Sequence, residues 1–476
     1  MGSTFNPTEE MRKKFNITDE MLKYADNECL CPYCFGLFRP FTVAFRIAPE
    51  SVCGAMRYET LMPEEKAEAE PYRERRDIQY DEFWKRFPGS EPSDEESRAM
   101  VKRPVMHMLL PEHLRGQFVP DEEGFPVGMI DGKGNKSDAR VCPHCHNRLP
   151  LNLGKYPVKY IALVGITSSG KTVYLSQLLK NLYINLSDIG YIQVDGLDET
   201  ENFWRTNLVK KGQKLPTGNV TDKLTPPVAV TIQNRETREI HTLIFYDIAG
   251  ENCVNSEQMK KYGPFIVNSD GIIMIVDPGQ FPELLDGQGE LEEEAANPGK
   301  VIQAMYRAFV AAKSIRGQSN VPMAVAISKS DLLKPYFESR NQNSNLFRNI
   351  NYREYEGKGF PYNDYLNITV EARRLLEQER TGKAFVDAVK NGFEKSDFFA
   401  FSALNVKPVA KEEEENGEKY TYYILEEDPE VLRIEEPFNW ILYQFGMLEK
   451  VEKNKTKEAA DKPKGRWLFG LLKNNK

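Results

Sequence analysis

The 476-residue sequence lacks the features that would place it in a membrane or on nucleic acid. No apolar run reaches the roughly 20 residues that a membrane-spanning helix needs, and the N-terminal stretch has no apolar signal-peptide region. The formal net charge is −8, so a general electrostatic attraction to nucleic acid is not expected. We therefore expect a cytoplasmic protein with no nucleic acid among its partners.

Cysteine is also scarce, and the spacing of the 7 cysteines favours a metal site over disulfides. Four of them form two Cys-x-x-Cys pairs, Cys31 with Cys34 and Cys142 with Cys145. Four thiolates can complete a tetrahedral Zn²⁺ shell, which is a closed structural arrangement. Other side chains could substitute as ligands: Cys29, His144 and His146. Reduced thiols without metal are the remaining alternative.

The two cysteine pairs are separated by an unusually long insertion, charged and rich in Glu, Arg and Pro. Closing the longer loop costs only about 1.5 kcal/mol more, whereas a structural zinc supplies on the order of 10 kcal/mol. The insertion is therefore tolerable. We expect four segments: an N-terminal arm over 1–27, a short helix or a loose stretch; a zinc ribbon over 28–153 with an inserted segment at 54–140; a nucleotide-binding domain over 154–450; and a basic tail over 451–476.

A glycine-rich loop has the spacing G-x-x-x-x-G-K-[ST] of a phosphate-binding site and stands between a buried-strand pattern and a helical one. The predicted phosphate-binding residues are Gly165, Ser168, Ser169, Gly170, Lys171 and Thr172. Glycine lets successive backbone N–H groups point at phosphate oxygens, and the helix N-terminus adds the positive end of its dipole. We expect Lys171 to reach the outer phosphates and serve catalysis, and Thr172 to place its hydroxyl on Mg²⁺.

The stretch Asp247-x-x-Gly250, at the end of a predicted strand, supplies a second part of the site. Asp247 would act on Mg²⁺, directly or through water. The Gly250 amide could approach the γ-phosphate because no side chain blocks it, and loss of that phosphate would release the loop. A switch threonine with a catalytic role is expected just before the preceding hairpin. We favour Thr225 over Thr217 and Thr221 because it is closest to the strand.

A third motif, "VAISKSDLL", indicates the base. Asp331 can accept two hydrogen bonds from N1 and N2 of guanine, whereas adenine would leave this buried carboxylate unpaired, at a cost of about 1.5–3 kcal/mol. The stem of Lys329, which follows Ser328, can lie over the base. Backbone N–H groups at Ser402 and Ala403 could meet the guanine O6.

Strand and helix patterns alternate from residue 159 onward. The predicted strands are 159–165, 226–233, 239–247, 270–277, 322–329 and 398–404, and the predicted helices are 172–186, 297–315, 370–393 and 435–448. This alternation implies an α/β fold with a mostly parallel sheet covered on both faces. The second and third strands form a hairpin, which would make one strand antiparallel. Acidic stretches at 289–299 and 411–419 are expected to be solvated loops.

The nucleotide motifs, in this order, resemble those of the Ras-like (TRAFAC-type) P-loop GTPases over roughly residues 159–450. The resemblance implies binding of GTP and GDP with Mg²⁺ and a switch cycle. Three positions depart from the family pattern. Ser328 stands where Asn or Thr is usual, which predicts weaker base selectivity, and Thr167 stands at a frequent glycine. Glu251 replaces the Gln that orients water, and its negative charge predicts slow hydrolysis that needs a partner's help.

A zinc ribbon with an insertion, joined directly to such a domain, resembles the bacterial double-GTPase families. The stretches "CPYCF", "CPHCHNRLP", "DIAGE" and "EEPFNWIL" carry this resemblance. It implies a role in a multi-gene defence or conflict system, with protein partners from neighbouring genes.

The leading hypothesis is a GTP-binding switch with slow hydrolysis that signals to partner proteins. Two alternatives stay open. One is a P-loop ATPase or small-molecule kinase using the same Lys171 and Thr172, and the other is an adaptor that holds nucleotide permanently and works through its zinc ribbon. The C-terminal tail combines basic residues with an apolar cluster around Trp467, so it could dock on a partner, on the chain's own core or at a membrane surface.

Overall fold

The structure, a computed structural model, describes most of the chain. The described residues are 7–47, 60, 62–64, 66, 70, 73, 75–91, 95–106, 116–131, 134–166, 169–196, 198–215, 223–254, 256–285, 297–415 and 418–454. The predictions for Thr167, Ser168, Thr217, Thr221 and the tail from residue 455 lie outside these residues. Within the described part, no helix combines the length and apolar character needed to span a membrane.

The N-terminal segment consists of short elements around the two cysteine pairs. Its strands are β1 (Cys29–Leu30), β2 (Leu37–Phe38), β3 (Ala44–Arg46), β4 (Val105–Met106), β5 (Gly116–Pro120), β6 (Pro126–Asp131), β7 (Lys136–Ser137) and β8 (Arg140–Val141). Its helices are α1 (Glu9–Phe15), α2 (Asp19–Leu22), α3 (Ile78–Trp84) and α4 (Glu95–Met100). β3 pairs with both β4 and β8, so the inserted segment is joined to the ribbon by strand pairing.

The N-terminal arm is packed in its described part. Phe15 of α1 and Met21 of α2 are buried. Between the two helices, Nδ2 of Asn16 donates to the Phe118 carbonyl at 3.1 Å. The described part of the arm therefore lies against the inserted segment.

A seven-stranded sheet forms the centre of the C-terminal part. Its strands are β9 (Val158–Gly165), β10 (Tyr191–Gly196), β11 (Val228–Asn234), β12 (Ile240–Ala249), β13 (Gly271–Val276), β14 (Met323–Ile327) and β16 (Ser396–Ala400). The order across the sheet is β10-β11-β12-β9-β13-β14-β16. From β12 to β16 the pairing is parallel, whereas β11 is antiparallel to both of its neighbours. The prediction of a mostly parallel α/β sheet with one antiparallel strand is confirmed.

Helices connect these strands and cover the sheet. They are α5 (Lys171–Ile189), α6 (Asp198–Asn207), α7 (Glu251–Val254), α8 (Ser256–Val267), α9 (Pro298–Lys313), α10 (Lys334–Ser339), α11 (Tyr362–Glu377), α12 (Arg380–Gly392) and α13 (Glu436–Gln444). β13 and β14 are buried along their whole length. Strands covered on both faces need continuous apolar sequence, which GIIMIV and MAVAI supply. Apolar residues of the ribbon and of the sheet belong to one contiguous core.

The helical stretch predicted over 370–393 is divided into two helices. α11 ends at Glu377, and Glu379 takes an extended conformation with φ −107° and ψ 143° before α12 begins. The two helices then approach closely. A Cβ added at Gly382 would lie 2.3 Å from the carbonyl oxygen of Leu376, so this position requires glycine.

Residues 411–415 and 418–419 lie in two paired strands, which corrects the prediction of a loop for these residues. β17 (Val409–Glu415) pairs antiparallel with β18 (Glu418–Ile424). The sequence between the two strands is Asn-Gly, the dipeptide most typical of a two-residue hairpin, and β18 is rich in Tyr and Thr, which favour strands. A further short pair joins β15 (Phe360–Pro361) to β19 (Lys450–Val451) in parallel.

Candidate nucleotide and metal sites

The phosphate loop begins where β9 ends and finishes where α5 begins. Gly165 is the last residue of β9, and a Cβ added there would lie 2.6 Å from the carbonyl oxygen of Ile275 on the neighbouring strand. Gly170 caps α5 with a left-handed backbone, φ 83°, that glycine adopts without strain. The two glycines of the motif are thus required by packing and by backbone conformation, and the helix N-terminus faces the loop.

Lys171 lies inside this loop. Its Nζ donates to the carbonyl oxygens of Gly165 at 2.6 Å and Ile166 at 3.3 Å. Burial lowers the pKa of Lys171, and the nearby charges of Asp247 and Glu251 oppose that shift. The ammonium group is therefore held beside the loop carbonyls, where phosphate oxygens could replace them as acceptors.

The hydroxyl of Ser169 is a second polar group enclosed by the loop. Ser169 is fully buried, and within the described part of the chain its Oγ has no hydrogen-bond partner. Its backbone N–H donates to the Ile166 carbonyl at 3.1 Å, which tightens the loop. A buried hydroxyl without an acceptor or donor is costly, so this group fits a loop that receives an oxygen-rich ligand.

The structure brings the side chains of Asp247 and Thr172 together. Thr172 Oγ1 donates to Asp247 Oδ2 at 2.7 Å, and Asp247 is buried at the carboxyl-terminal part of β12. A hydroxyl and a carboxylate oxygen are the ligand types that Mg²⁺ accepts from proteins beside nucleotide phosphates. The donor set therefore fits this ion, and Thr172 and Asp247 are the residues that would hold it.

The loop after Asp247 lies directly on the phosphate loop. The Gly250 N–H donates to the Gly165 carbonyl oxygen at 2.8 Å. A Cβ added at Gly250 would lie 3.1 Å from the carbonyl carbon of Gly165, so only glycine allows this approach without displacement. The amide predicted to sense the γ-phosphate is thus adjacent to the loop predicted to bind it.

The two predicted catalytic positions outside the phosphate loop lie on the same side of the fold. Glu251 is the first residue of α7, one residue beyond Gly250, and its carboxylate acts electrostatically on Lys171. Thr225 is half-buried and lies three residues before β11 begins at Val228. The structure thus places Glu251 beside the phosphate loop and Thr225 at the start of the hairpin.

The predicted base-binding loop follows β14. Ser328 is buried, and its Oγ donates to the Val276 carbonyl at 3.2 Å, so this side chain is used to tie β14 to β13. Asp331 lies in a 3-10 helix, Ser330–Leu333, and is half-buried rather than fully buried. A base stacked on the loop would complete its burial.

The Ser402-Ala403 turn adjoins this loop. The Ser330 N–H donates to the Phe401 carbonyl at 3.0 Å, which joins the two loops. The Ser402 N–H is already bonded to the Leu432 carbonyl at 2.9 Å, and Ser402 Oγ accepts from Asn405 N–H at 2.8 Å. The amide of Ser402 is therefore engaged within the protein, which leaves Ala403 as the better candidate for a contact with the base.

Asp277 is a candidate site residue that the sequence patterns did not single out. It follows β13, and its Oδ2 pairs with Nζ of Lys329 at 2.5 Å, while its Oδ1 accepts from Gly279 N–H at 2.8 Å. Because β13 lies between the strands that carry the phosphate loop and the base loop, Asp277 stands between the two. One sequence signal could have identified Asp277. It is an Asp at the end of the strand beside the predicted Lys-x-Asp loop.

The four predicted zinc ligands form one cluster. The Sγ atoms of Cys31, Cys34, Cys142 and Cys145 lie within 4.8 Å of one another. The Cys31–Cys145 and Cys34–Cys142 sulfur distances are both 3.7 Å, too long for a disulfide. Four sulfurs about 2.3 Å from a common centre would lie about 3.8 Å apart, so the cluster fits a tetrahedral Zn²⁺.

The substitute ligands that the sequence left open are directed elsewhere. His146 Nδ1 contacts the Asp77 carboxylate at 2.9 Å, and His144 Nε2 contacts the Leu37 carbonyl at 2.9 Å. Cys29 is buried next to Gly154, where an added Cβ would lie 2.3 Å from its sulfur. Among the described residues, the cluster therefore consists of the two Cys-x-x-Cys pairs alone.

Comparisons with known proteins give a family match and similar solved structures. The family model "Double-GTPase 2" matches residues 159–413, which is more than half of the 476-residue chain. One similar solved structure is a bacterial selenocysteine-specific elongation factor, EF-Sec, with 14% identity and a TM-score of 0.18, covering 40% of this chain and 24% of that chain.

Another is the S. cerevisiae Ski7 GTPase-like domain bound to GTP, with 12% identity and a TM-score of 0.25, covering 52% of this chain and 43% of that chain. The matched part therefore spans less than half the length of either structure. No curated protein matches the chain. The match to the family model confirms the resemblance to double-GTPases, and the chain belongs to the Double-GTPase 2 family of GTP-binding proteins.

Proposed function

We propose that this protein is a GTP-binding molecular switch that hydrolyses GTP slowly and signals to a protein partner. The observation that carries the proposal is the direct contact between the phosphate loop and the loop after β12. Thr172 bonds to Asp247 at 2.7 Å, and Gly250 N–H bonds to Gly165 at 2.8 Å. A group that enters the phosphate loop must displace or replace these contacts, so the loop after β12 should respond to the γ-phosphate.

Slow hydrolysis follows from the charge of Glu251. Glu251 stands one residue after Gly250. At this position a neutral side chain would orient water without repelling the phosphate. The buried Lys171 offsets part of this charge. An arginine supplied by a partner can raise such a rate by about 10³–10⁵-fold, which makes a partner-dependent reset part of the proposal.

The switch is tested by hydrogen exchange of the full chain with a non-hydrolysable GTP analogue and with GDP. We expect the analogue to slow exchange in residues 247–254 relative to GDP, because the Gly250 amide gains a phosphate acceptor. Single-turnover hydrolysis should run well below 1 s⁻¹. Equal exchange in the two nucleotide states, or turnover near 1 s⁻¹ without a partner, would contradict the switch with slow hydrolysis.

Nucleotide co-purification and a comparison of ATP with GTP separate the alternatives. Nucleotide that co-purifies and does not exchange would indicate an adaptor with a permanently bound nucleotide. Preference for ATP with transfer to a small molecule would indicate a kinase. The proposed partner is a protein of the bacterial defence or conflict system to which we propose this chain belongs. It is sought by pull-down with the GTP analogue and with GDP, and a switch should retain it in only one of the two states.

A further inference from the structure

We infer that the zinc ribbon and its inserted segment are the built-in partner of the nucleotide site, so that nucleotide state and ribbon influence each other. This inference rests on the proposed function. It identifies a part of the same chain that responds to the nucleotide state. The relevant surface consists of residues 223–225, Tyr246 and α8, which we call the switch face. It adjoins the predicted switch threonine and the loop predicted to sense the γ-phosphate, because Thr225 ends the first segment and Gly250 precedes α7 and α8.

The cysteine cluster fixes helix α3 at both ends. Beside the cluster, Asn147 Nδ2 donates to Cys145 Sγ at 3.3 Å, and Trp84 Nε1 donates to Asn147 Oδ1 at 2.9 Å. Trp84 is the last residue of α3 and is 2% exposed. At the other end, the cap residue Asp77 contacts His146, the residue after Cys145, at 2.9 Å. The geometry of the second cysteine pair therefore sets the position of α3.

The residues that follow α3 contact the switch face directly. The ring of Phe87 is buried with its centroid 5.5 Å from Tyr262 and 6.2 Å from Phe265, both on α8. Ser90 Oγ accepts from the Leu224 N–H at 2.8 Å. One short stretch of the inserted segment therefore contacts the residue before Thr225 and the helix that follows the Gly250 loop.

The first cysteine pair reaches the same surface from a second direction. Phe35 follows Cys34 with a left-handed backbone, φ 56°. Its ring lies 4.9 Å from Phe265 and 6.0 Å from Tyr246, the residue before Asp247. Tyr160, stacked on Tyr246 at 6.1 Å, donates its hydroxyl to the Leu30 carbonyl at 2.5 Å. Residues next to the first cysteine pair, and residues linked to the second pair through α3, thus contact elements that carry the Thr225 and Gly250 loops.

These contacts give the coupling a physical basis. If GTP and GDP hold the Gly250 loop differently, α8 and residues 223–225 shift against Phe35, Phe87 and Ser90, and the ribbon contacts then differ between the two states. Any contact that differs between the states changes their relative free energies, and the effect is reciprocal by linkage. The side chains in continuous contact provide a route for coupling between the switch face and the ribbon. The coupling free energy can be measured.

The test uses the full zinc-loaded chain and three variants. Phe87→Ala removes the ring from α8, and Ser90→Ala removes the acceptor for Leu224. Ile78→Ala is the matched control, because Ile78 lies on α3 but is 65% exposed. Calorimetric titration gives the dissociation constants for GDP and a non-hydrolysable GTP analogue. We expect the ratio of the two constants to change about fivefold or more in the first two variants, the lower end of typical allosteric coupling, and to stay within twofold in Ile78→Ala.

A second measurement tests the reciprocal effect, in which the nucleotide state changes the zinc affinity. Competition with a chromophoric chelator gives the zinc affinity of the wild-type chain with the GTP analogue and with GDP, and the two values should differ. Unchanged nucleotide ratios in both Phe87→Ala and Ser90→Ala would overturn the partnership while leaving GTP binding intact. A wild-type chain that binds neither nucleotide would instead overturn the proposed function, and the partnership with it. Ser90→Ala, which loses one hydroxyl, decides the matter if Phe87→Ala fails to fold.

Discussion

At the phosphate loop, Lys171 is a buried cation whose donors already point at backbone carbonyls. Its desolvation is part of the folded state, so phosphate oxygens meet a side chain that is already positioned. At the base loop the situation differs, because Asp331 is half-buried and a guanine would cover it. The phosphate end of the site is therefore more fully formed than the base end.

A substitution at Asp277 tests how much a single charge contributes to binding at the base end of the site. Asp277→Asn removes the charge facing Lys329 but keeps an oxygen that can accept from Gly279 N–H. Lys329 is 43% exposed, and such an ion pair is worth about 0.2–1 kcal/mol. We expect GTP affinity to fall by about 1.5–5-fold in a calorimetric titration, with ATP binding unchanged.

The control for this charge removal is Asp270→Asn, which removes a carboxylate paired with Lys159 at 3.5 Å. Asp270 precedes β13 and therefore lies at the opposite end of this strand from Asp277. GTP affinity should not change in that variant. A normal GTP affinity in Asp277→Asn would show that Asp277 does not position Lys329 for the base.

At the scale of elements, the loop between β12 and α7 is the one whose position should depend on the γ-phosphate. Gly250→Ala places a methyl group 3.1 Å from the Gly165 backbone, so the loop must shift. The Gly250 amide should then lose its γ-phosphate contact, which costs about 1.5 kcal/mol. We expect roughly tenfold weaker binding of a GTP analogue and GDP affinity within twofold, measured by displacement of a fluorescent nucleotide.

Gly263→Ala is the comparison for this loop change. Gly263 lies within α8, and its added Cβ meets only the side chain of Met259, at 3.3 Å, which can move. That variant should bind both nucleotides as the wild type does. An equal loss of GTP-analogue and GDP affinity in Gly250→Ala would mean that the loop does not distinguish the two.

Helix α3 depends on the carboxylate of Asp77. Asp77 caps the helix and pairs with the buried Arg46 at 2.7 Å. Asp77→Asn leaves Arg46 without its counter-charge, so the free energy of unfolding should fall by about 3–5 kcal/mol at pH 7. Denaturant titration of both proteins measures the difference.

The pH dependence of that difference has a definite sign. Burial raises the pKa of Asp77, but the hydrogen bond and charge of His146, together with Arg46, outweigh it and lower the pKa to about 2. A lowered pKa means that the stabilisation is fully present above the unfolded value of about 3.9 and is lost as the pH falls toward 2. The wild type and Asp77→Asn should therefore converge in acid. A difference that is as large at pH 2 as at pH 7 would contradict this origin.

The sequence was sufficient for the elements whose pattern is imposed by burial. β13 and β14 are buried throughout and β9 is buried from Tyr160 onward, so their apolar runs predicted them, and the glycine spacing located the phosphate loop. The β17–β18 hairpin was missed because its acidic residues suggested solvent. The Asp277–Lys329 pair and the contacts of Phe87 were not predictable, because they join segments far apart in sequence and no local pattern encodes them.

At the scale of the whole molecule, the ribbon and the sheet share one apolar core. Phe35 and Phe87 insert rings from the ribbon side against α8, and Tyr160 of β9 bonds back to Leu30. Zinc should therefore stabilise more than the ribbon. We expect a strong chelator to lower the temperature of a single unfolding transition in differential scanning calorimetry, since a structural zinc contributes on the order of 10 kcal/mol.

The matched control for chelation is a Cys29→Ala variant, which removes a buried thiol outside the cluster. Chelation should lower its transition temperature as it does for the wild type. Two separate transitions, with only one sensitive to chelation, would show that the ribbon and the sheet fold independently.

The central claim, that the chain binds guanine nucleotides through Lys171 and Asp331, is tested most directly by calorimetric titration of the full chain with GTP and ATP, with Asp331→Ala alongside. We predict tighter binding of GTP than of ATP by about 10–150-fold, from the 1.5–3 kcal/mol that a hydrogen-bonded charge contributes, and near-equal binding of the two by Asp331→Ala. ATP bound as tightly as GTP by the wild type would contradict the account.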